Sequence, residues 1–96
     1  MIRKFLAELQ RNHVPVQQVV LFGSYASGSY SAWSDIDIAI VSPAFTGKRF
    51  DDKNMIRKIM ISVSSALSPL PFRPEDFVPT DPLVREILET GMPIAA

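Results

Sequence analysis

Residues 35–41, with the sequence DIDIAIV, place two carboxylates at the start of a strongly apolar segment. The isoleucines at the even positions alternate with the other residues, and this alternation predicts a β-strand with the isoleucines on one face. Asp35 and Asp37 then point to the opposite face, with their Cα atoms about 6.5–7 Å apart. A charged side chain is costly to bury unless it is paired or binds a metal. The fold must therefore accommodate two neighbouring negative charges at one end of a core strand.

The two aspartates allow two interpretations. Like charges at this spacing repel and raise each other's pKa values, and a hard divalent cation such as Mg²⁺ between them removes the conflict. Two such ions about 3.5–4 Å apart can stabilise the attacking and leaving oxygens in phosphoryl or nucleotidyl transfer. In the other interpretation, Asp35 and Asp37 are simply solvated at the end of the sheet. The pair alone does not decide between them.

A second polar feature, Gly23-Ser24, follows the apolar segment 16–22 (VQQVVLF), which is predicted to be a buried strand. Gly23 permits a positive φ and a close approach of a phosphate, and Ser24 at a helix start could bind an anion. An ordinary strand-to-helix turn explains the same residues. If the two strands are antiparallel neighbours, however, this turn lies at the same end of the sheet as Asp35 and Asp37. A phosphate-binding turn would then face a metal site.

Three helices are predicted around these strands. Apolar residues at three- and four-residue spacing predict a helix at 2–11 and a longer helix with an apolar stripe from Met55 to Leu67, and Asp51 is expected to cap the longer one. A short last helix is predicted to begin after Asp81, which is followed by a proline, and to end at Gly91.

Two prolines are expected to separate the second helix from a third extended segment. Pro69 and Pro71 are predicted to stop the helix, and residues 72–79 (FRPEDFVP) are predicted to form an edge strand at best. The order of elements predicts an α/β fold with a small mixed β-sheet and helices packed on one face.

The composition limits the classes of function. With 96 residues the chain is expected to form a single domain, residues 1–96. Lys+Arg and Asp+Glu are both 10, so neither direct nucleic-acid binding nor membrane binding is expected. The lack of cysteine and the single histidine exclude thiol chemistry and a zinc site. No segment has signal-peptide or membrane-spanning character, so we expect a small cytoplasmic protein.

The combined motif G-S-x(10)-D-I-D-I, with Gly28 inside the spacer, resembles the signature of the polymerase-beta-type nucleotidyltransferase superfamily. The short length and the tail LVREILETGMPI are similar to its minimal nucleotidyltransferase (MNT) branch. The resemblance covers most of the chain and implies a truncated nucleotidyltransferase fold. It implies that Gly23 and Ser24 hold the triphosphate of the donor and that Asp35 and Asp37 hold Mg²⁺.

The resemblance also implies a third catalytic and metal-binding carboxylate on a later strand, which activates the acceptor hydroxyl. Its candidates are the adjacent Asp76 and Glu75, and Asp76 matches the position in the superfamily better. Alternatively, both are solvent-facing charges on a proline-flanked edge.

The activity implied by the resemblance is Mg²⁺-dependent transfer of a nucleoside monophosphate, AMP from ATP, onto a hydroxyl, with pyrophosphate leaving. The minimal branch resembles antitoxins that act with a small helical HEPN-domain partner, some of which adenylylate a tyrosine of that partner. The chain is too short for an acceptor-binding domain of its own, which is consistent with an acceptor protein; a homo-oligomer is also compatible with the sequence. The alternative is a non-catalytic nucleotide-binding module that neutralises a partner protein by direct contact.

One further cluster is basic: Lys48, Arg49, Lys53, Arg57 and Lys58 precede or lie along the long helix. Such a run is most simply a solvated face. It could also guide a triphosphate or an acidic partner.

Overall fold

The computed structural model describes residues 2–23, 28, 35–63 and 67–94, and three helices and four strands lie in these ranges. The helices are α1 (Ile2–Arg11), α2 (Arg49–Ile61) and α3 (Pro82–Thr90). The strands are β1 (Gln18–Phe22), β2 (Ile36–Val41), β3 (Leu67–Phe72) and β4 (Met92–Ile94). Within the described ranges no helix combines the length and the apolar character needed to cross a membrane.

The four strands form one mixed sheet in the order β3-β2-β1-β4. The strand β1 is antiparallel to both β2 and β4, whereas β2 and β3 are parallel. The antiparallel pairing of β1 with β2 aligns Phe22 with Asp37, so the end of β1 meets the start of β2. The prediction of a small mixed α/β sheet is confirmed, and so is the predicted neighbourhood of the first two strands.

The helices occupy both faces of the sheet rather than the single face that was predicted. On the isoleucine face of β2, α1 and α2 bury Phe5, Leu9 and Ile56 against Ile38 and its neighbours. On the opposite face, α3 buries its apolar residues in a second cluster, which contains Val20, Ala39, Val41, Phe72, Val84 and Ile87. The face of β2 that carries Asp37 is therefore the face covered by α3.

The handedness of the connections explains why α3 lies on the other face. The chain passes from β2 through α2 to β3 at one edge, and then from β3 through α3 to β4 at the opposite edge. Both connections join parallel strands, because β2 and β4 are each antiparallel to β1. Such connections are right-handed in nearly all proteins. Two right-handed connections that run in opposite directions across a sheet place their helices on opposite faces.

The third strand is the clearest correction to the sequence prediction. It comprises Leu67–Phe72, which contain both prolines, and not residues 72–79. The amide of Ser42 donates to the carbonyl of Phe72, so the backbone N–H and C=O groups of Ser68, Leu70 and Phe72 point towards β2. The backbone nitrogens of Pro69 and Pro71 therefore point away from β2. Because β3 is an edge strand, the missing proline N–H groups point to the open side and no ladder hydrogen bond is lost.

The helix ends show one error and one confirmation. The helix α2 begins at Arg49 with Lys48 as its N-cap, so Asp51 is not the cap. The adjacent Asp52 is buried instead and accepts hydrogen bonds from the amides of Thr46 and Gly47 and from the Thr46 hydroxyl. The Asp52 carboxylate thereby fixes the loop that leads into the helix, and the helix has no side-chain cap.

For α3 the prediction holds. The Asp81 carboxylate accepts from the Leu83 amide at 2.9 Å, a proline follows Asp81 directly, and Gly91 ends the helix.

Candidate active site

The candidate site lies where β1 ends and β2 begins. Asp35 is exposed just before β2. Asp37, the second residue of β2, is half-buried and lies on the same face as Ala39 and Val41. Two carboxylates two residues apart thus border one end of the α3-covered face, as the alternation of residues 35–41 predicted.

Gly23 brings the end of β1 into direct contact with this pair. Its φ is +73°, a conformation that side chains rarely adopt, and a Cβ atom built on it would overlap Oδ2 of Asp37. Only a glycine allows the backbone to approach the carboxylate this closely. The structure therefore brings Gly23 and Asp37 together. Ser24 lies outside the described residues, and Gly28 is an exposed turn residue with a φ of +78°.

The electrostatics of Asp37 are those of a carboxylate without a compensating cation. Burial raises its pKa above the ordinary value, and the neighbouring charge of Asp35 raises the pKa further. A hydrogen bond from the hydroxyl of Ser68 partly offsets both effects and lowers the pKa. A cation between the two aspartates would offset both the burial of Asp37 and its repulsion from Asp35.

Ser68 is a site residue that sequence reasoning missed. In the parallel pairing of β2 with β3 it is the residue aligned with Asp37. The strand LSPLPF contains no carboxylate, so the position beside Asp37 on the third strand carries a hydroxyl group. The segment was assigned to the end of a helix and the loop after it because of its two prolines, and this assignment concealed Ser68. The sequence LSPLPF shows no regular apolar–polar alternation, so no local signal indicated a strand there.

Asp76 lies at the opposite end of the sheet. The aligned pairs Asp37–Ser68 and Val41–Phe72 are four residues apart, about 13 Å along the strands, and Asp76 lies beyond Phe72 in a turn. The structure therefore does not bring Asp76 together with Asp37, because the strand that ends at Phe72 runs away from the candidate site.

Asp76 has a local partner instead. Its carboxylate accepts from Nε of Arg73 at 2.6 Å and from Nη2 at 3.1 Å, and the arginine lowers the pKa of Asp76. The exposed Glu75 lies 3.8 Å from the same guanidinium group. Both candidates for a third carboxylate thus belong to an ion-pair cluster around Arg73.

The donor set at Asp35 and Asp37 fits a hard divalent cation. Carboxylate oxygens are the ligands that Mg²⁺ prefers, and Mg²⁺ typically uses one or two of them and completes its shell with waters and phosphate oxygens. Among the described residues no group of three or more acidic or histidine side chains could hold a metal. Asp35 and Asp37 provide two carboxylates, which is the number of protein ligands that Mg²⁺ typically uses when waters and phosphate oxygens complete its shell.

Two openings flank the site on either side of β2. A cleft of about 410 Å³ begins at Gly23 and extends between the end of β1 and α3; its lining is formed by Phe22, Gly23, Leu83, Glu86, Ile87 and Thr90. A smaller groove of about 180 Å³ lies on the other side, between α2 and β3, and includes Ser68 together with Lys53 and Arg57. The first opening is apolar with one carboxylate, whereas the second is basic.

One solved structure and one family model are similar to this chain. The crystal structure of a "putative nucleotidyltransferase" from Sulfolobus solfataricus is similar to this chain with a TM-score of 0.59 at 23% sequence identity, over 96% of this chain and 79% of that one. At this identity the likeness shows the fold alone. A search of curated proteins finds no significant match. The family model of the nucleotidyltransferase domain matches residues 2–93. The chain therefore belongs to the nucleotidyltransferase domain family.

Proposed function

We propose that this nucleotidyltransferase-domain protein carries out Mg²⁺-dependent transfer of AMP from ATP onto a hydroxyl group of a partner protein. The observation that carries the proposal is the contact between the Gly23 backbone and the Asp37 carboxylate, beside Asp35. In this proposal a site for phosphate lies next to a site for a cation, which is the arrangement that a Mg²⁺–triphosphate substrate requires. The family match supports transfer of a nucleotidyl group as the reaction class.

The residues of the chain have distinct roles in this proposal. Asp35 and Asp37 would hold Mg²⁺, which would neutralise charge on the triphosphate and stabilise the charge that develops during transfer. Gly23 lets the backbone lie against the Asp37 carboxylate, where it would approach the triphosphate, and Ser24 would add donors. Ser68, which is aligned with Asp37 on β3, would help to hold that carboxylate in place.

The proposed step is a substitution at the α-phosphorus of the donor. The oxygen of the acceptor hydroxyl forms a bond to this phosphorus while the bond to the oxygen that bridges to the β-phosphate breaks. Pyrophosphate leaves with the electron pair of the broken bond, and the proton of the acceptor goes to water.

A tyrosine fits the acceptor role better than an aliphatic hydroxyl. A general base often contributes about 10²–10⁴-fold to such a reaction, and the described residues place no third carboxylate with Asp35 and Asp37. A phenol has a pKa of about 10 and loses its proton far more readily than a serine or threonine hydroxyl. We therefore propose a tyrosine of a small helical HEPN-type protein as the acceptor, and an antitoxin role for this chain.

The test measures transfer of label from ATP labelled at the α-phosphate to such a partner in the presence of Mg²⁺. We expect labelling by the wild-type protein and by Asp51→Asn, which changes an exposed aspartate on α2. We expect none by the Asp35→Asn/Asp37→Asn double variant or with a partner that lacks the tyrosine. Labelling by ATP labelled only at the γ-phosphate would contradict the proposal, because it would indicate phosphoryl transfer.

One observation favours a second function. The superfamily resemblance implies a third carboxylate on a later strand, whereas the residue of β3 aligned with Asp37 is Ser68. A site of this kind could bind nucleotide and not transfer it, and the protein would then neutralise its partner by contact alone. If the Asp35→Asn/Asp37→Asn variant protects cells from the partner as well as the wild-type protein does, this second function is the relevant one.

A further inference from the structure

Three cations on α2 form one exposed line. Arg49, Lys53 and Arg57 are four residues apart, so their side chains follow one side of the helix over about 12 Å. All three residues are exposed. We refer to them as the α2 basic stripe.

The α2 basic stripe follows the open edge of the sheet towards the candidate site. Arg49 lies over the ring of Phe72, with its Cζ atom 5.6 Å from the ring centroid. Lys53 and Arg57 line the groove that includes Ser68, at the other end of β3. Because Ser68 is aligned with Asp37 in the parallel pairing of β2 with β3, the stripe ends beside the residue proposed to hold Mg²⁺.

No carboxylate of the described part of the chain neutralises the stripe. The ion pairs formed by these residues join Arg11 to Glu8 and Arg73 to Glu75 and Asp76, and none includes Arg49, Lys53 or Arg57. The three charges are thus available to acidic groups of another molecule. Most basic runs need no partner, but this one is exposed, aligned and continuous with the site.

Apolar residues at both ends of the stripe indicate that this molecule is a protein. Phe50 is 77% exposed and Ile61 is 63% exposed, and both lie within about 40° of Arg57 around the helix axis. Aromatic residues and arginine are enriched in protein interfaces, whereas lysine is not. Nucleic acids bind through stacking on aromatic rings, and Ile61 cannot stack on a base. The combination of basic residues with both an aromatic and an aliphatic side chain therefore favours an acidic protein surface over a polynucleotide.

The edge strand restricts the shape of this partner. Pro69 and Pro71 face the open side of β3 and carry no N–H group there, so this edge cannot pair fully with an added strand. A partner that contacts both α2 and this edge must bind through side chains. A helix with acidic residues at four-residue spacing matches the spacing of the stripe.

We propose that the α2 basic stripe, with Phe50 and Ile61, is the docking surface for an acidic helix of the acceptor protein. This inference rests on the proposed function for the role of the docked protein as acceptor. Docking here brings the acceptor hydroxyl to the Ser68 side of Asp37, while the donor occupies the Gly23 side. The two substrates then approach the site from opposite sides of β2.

The test is a titration of the ¹⁵N-labelled protein, without nucleotide or Mg²⁺, with a helical peptide that carries glutamates at four-residue spacing and leucines beside them. We expect amide shifts in residues 49–61 and 67–70, and binding that weakens as the ionic strength rises. A peptide with glutamine in place of glutamate, and the variant Lys53→Glu/Arg57→Glu, should each weaken binding about tenfold or more.

Lys58→Glu is the matched control, since Lys58 is exposed on the same helix but turned about 100° from Arg57. We expect it to bind the glutamate peptide as the wild-type protein does. The Asp35→Asn/Asp37→Asn variant should also bind normally, so a failure of catalysis and a failure of docking are distinguishable. Equal binding of the two peptides, shifts confined to other surfaces, or tighter binding of a ten-residue oligouridylate would overturn the proposal.

Discussion

The two ends of the sheet use aspartate in opposite ways. At one end Asp37 is half-buried beside Asp35, and its pKa is raised by burial and by that neighbouring charge. At the other end Asp76 forms a two-point ion pair with Arg73, which lowers its pKa.

Each end also has a glycine in a left-handed conformation that allows a close approach. Gly23 contacts the Asp37 carboxylate, whereas Gly47 contacts the Arg73 guanidinium group. The difference between the ends is the cation. The Arg73 end contains its own positive charge, whereas none of the ion pairs in the described part of the chain includes Asp37.

The strongest test of this comparison replaces one aspartate at each end. Asp37→Asn should reduce Mg²⁺-dependent transfer at least about 100-fold, because it removes a proposed metal ligand. Asp76→Asn should leave transfer unchanged and should lower stability slightly, because it breaks an exposed ion pair. Label transfer and urea unfolding measure the two effects. Equal loss of transfer in both variants would mean that the two ends are not functionally distinct.

A second pair of variants isolates the close approach at Gly23. Gly23→Ala and Gly28→Ala both place a side chain at a positive φ, which costs roughly 1–2 kcal/mol of unfolding free energy in each case. Only the Cβ at position 23 overlaps Asp37, since nothing lies within 4 Å of a Cβ at position 28. We therefore expect Gly23→Ala alone to weaken Mg²⁺ and nucleotide binding, by about tenfold or more. Calorimetric titration measures this, and matching losses in both variants would assign the effect to backbone strain.

A smaller effect is expected at Ser68. Ser68→Ala removes the hydroxyl that bonds to Asp37 and should raise the pKa of that carboxyl further. Removal of a group that orients a metal ligand should weaken Mg²⁺ binding by roughly tenfold or less. Unaltered Mg²⁺ binding would indicate that Asp37 is oriented without Ser68.

The smallest expected effect is a difference in the sign of pH dependence. The folded-state pKa of Asp37 is raised, so its contribution favours the folded state at low pH and is lost as the pH rises through the folded value. The folded-state pKa of Asp76 is lowered, so its contribution is present above the unfolded value, near 4, and is lost as the pH falls through the folded value.

Unfolding by urea between pH 3 and 7 measures how the free energy of unfolding changes with pH for the wild-type protein and for each variant. Relative to Asp37→Asn, the wild-type protein should become less stable as the pH rises, and Mg²⁺ should reverse this trend. Relative to Asp76→Asn, it should become more stable. Slopes of the same sign would show that the two carboxylates have similar surroundings.

Much of this architecture was predictable from short-range patterns. The alternation in residues 35–41 placed both aspartates on one face, and the end of β1 was expected beside them. The proline after Asp81 and the glycine at position 91 marked the last helix correctly. These signals succeed because caps, alternation and helical spacing depend on neighbours within a few residues.

The third strand and the third carboxylate were not predictable in this way. Two prolines normally exclude a strand, and they are tolerated in β3 only because it lies at the edge of the sheet with both rings on the open side. The sequence predicts the third strand at residues 72–79 and therefore puts Asp76 on it, whereas β3 ends at Phe72 and Asp76 lies in the turn that follows. The position of an edge is a property of the whole sheet.

The sequence by itself determined the local chemistry of this protein: a left-handed turn at Gly23, a strand that carries Asp35 and Asp37, and helices with defined apolar faces. Tertiary structure alone decided which of these groups meet. The pairing of β2 with β3 put Ser68 beside Asp37, and the turn after β3 brought Asp76 into an ion pair with Arg73. The right-handed connections put α3 on the face of the sheet that carries Asp37, and α2 on the other face, along the open edge. Local patterns specify the conformation of each segment, whereas charges become partners or remain uncompensated only through contacts between segments distant in the chain.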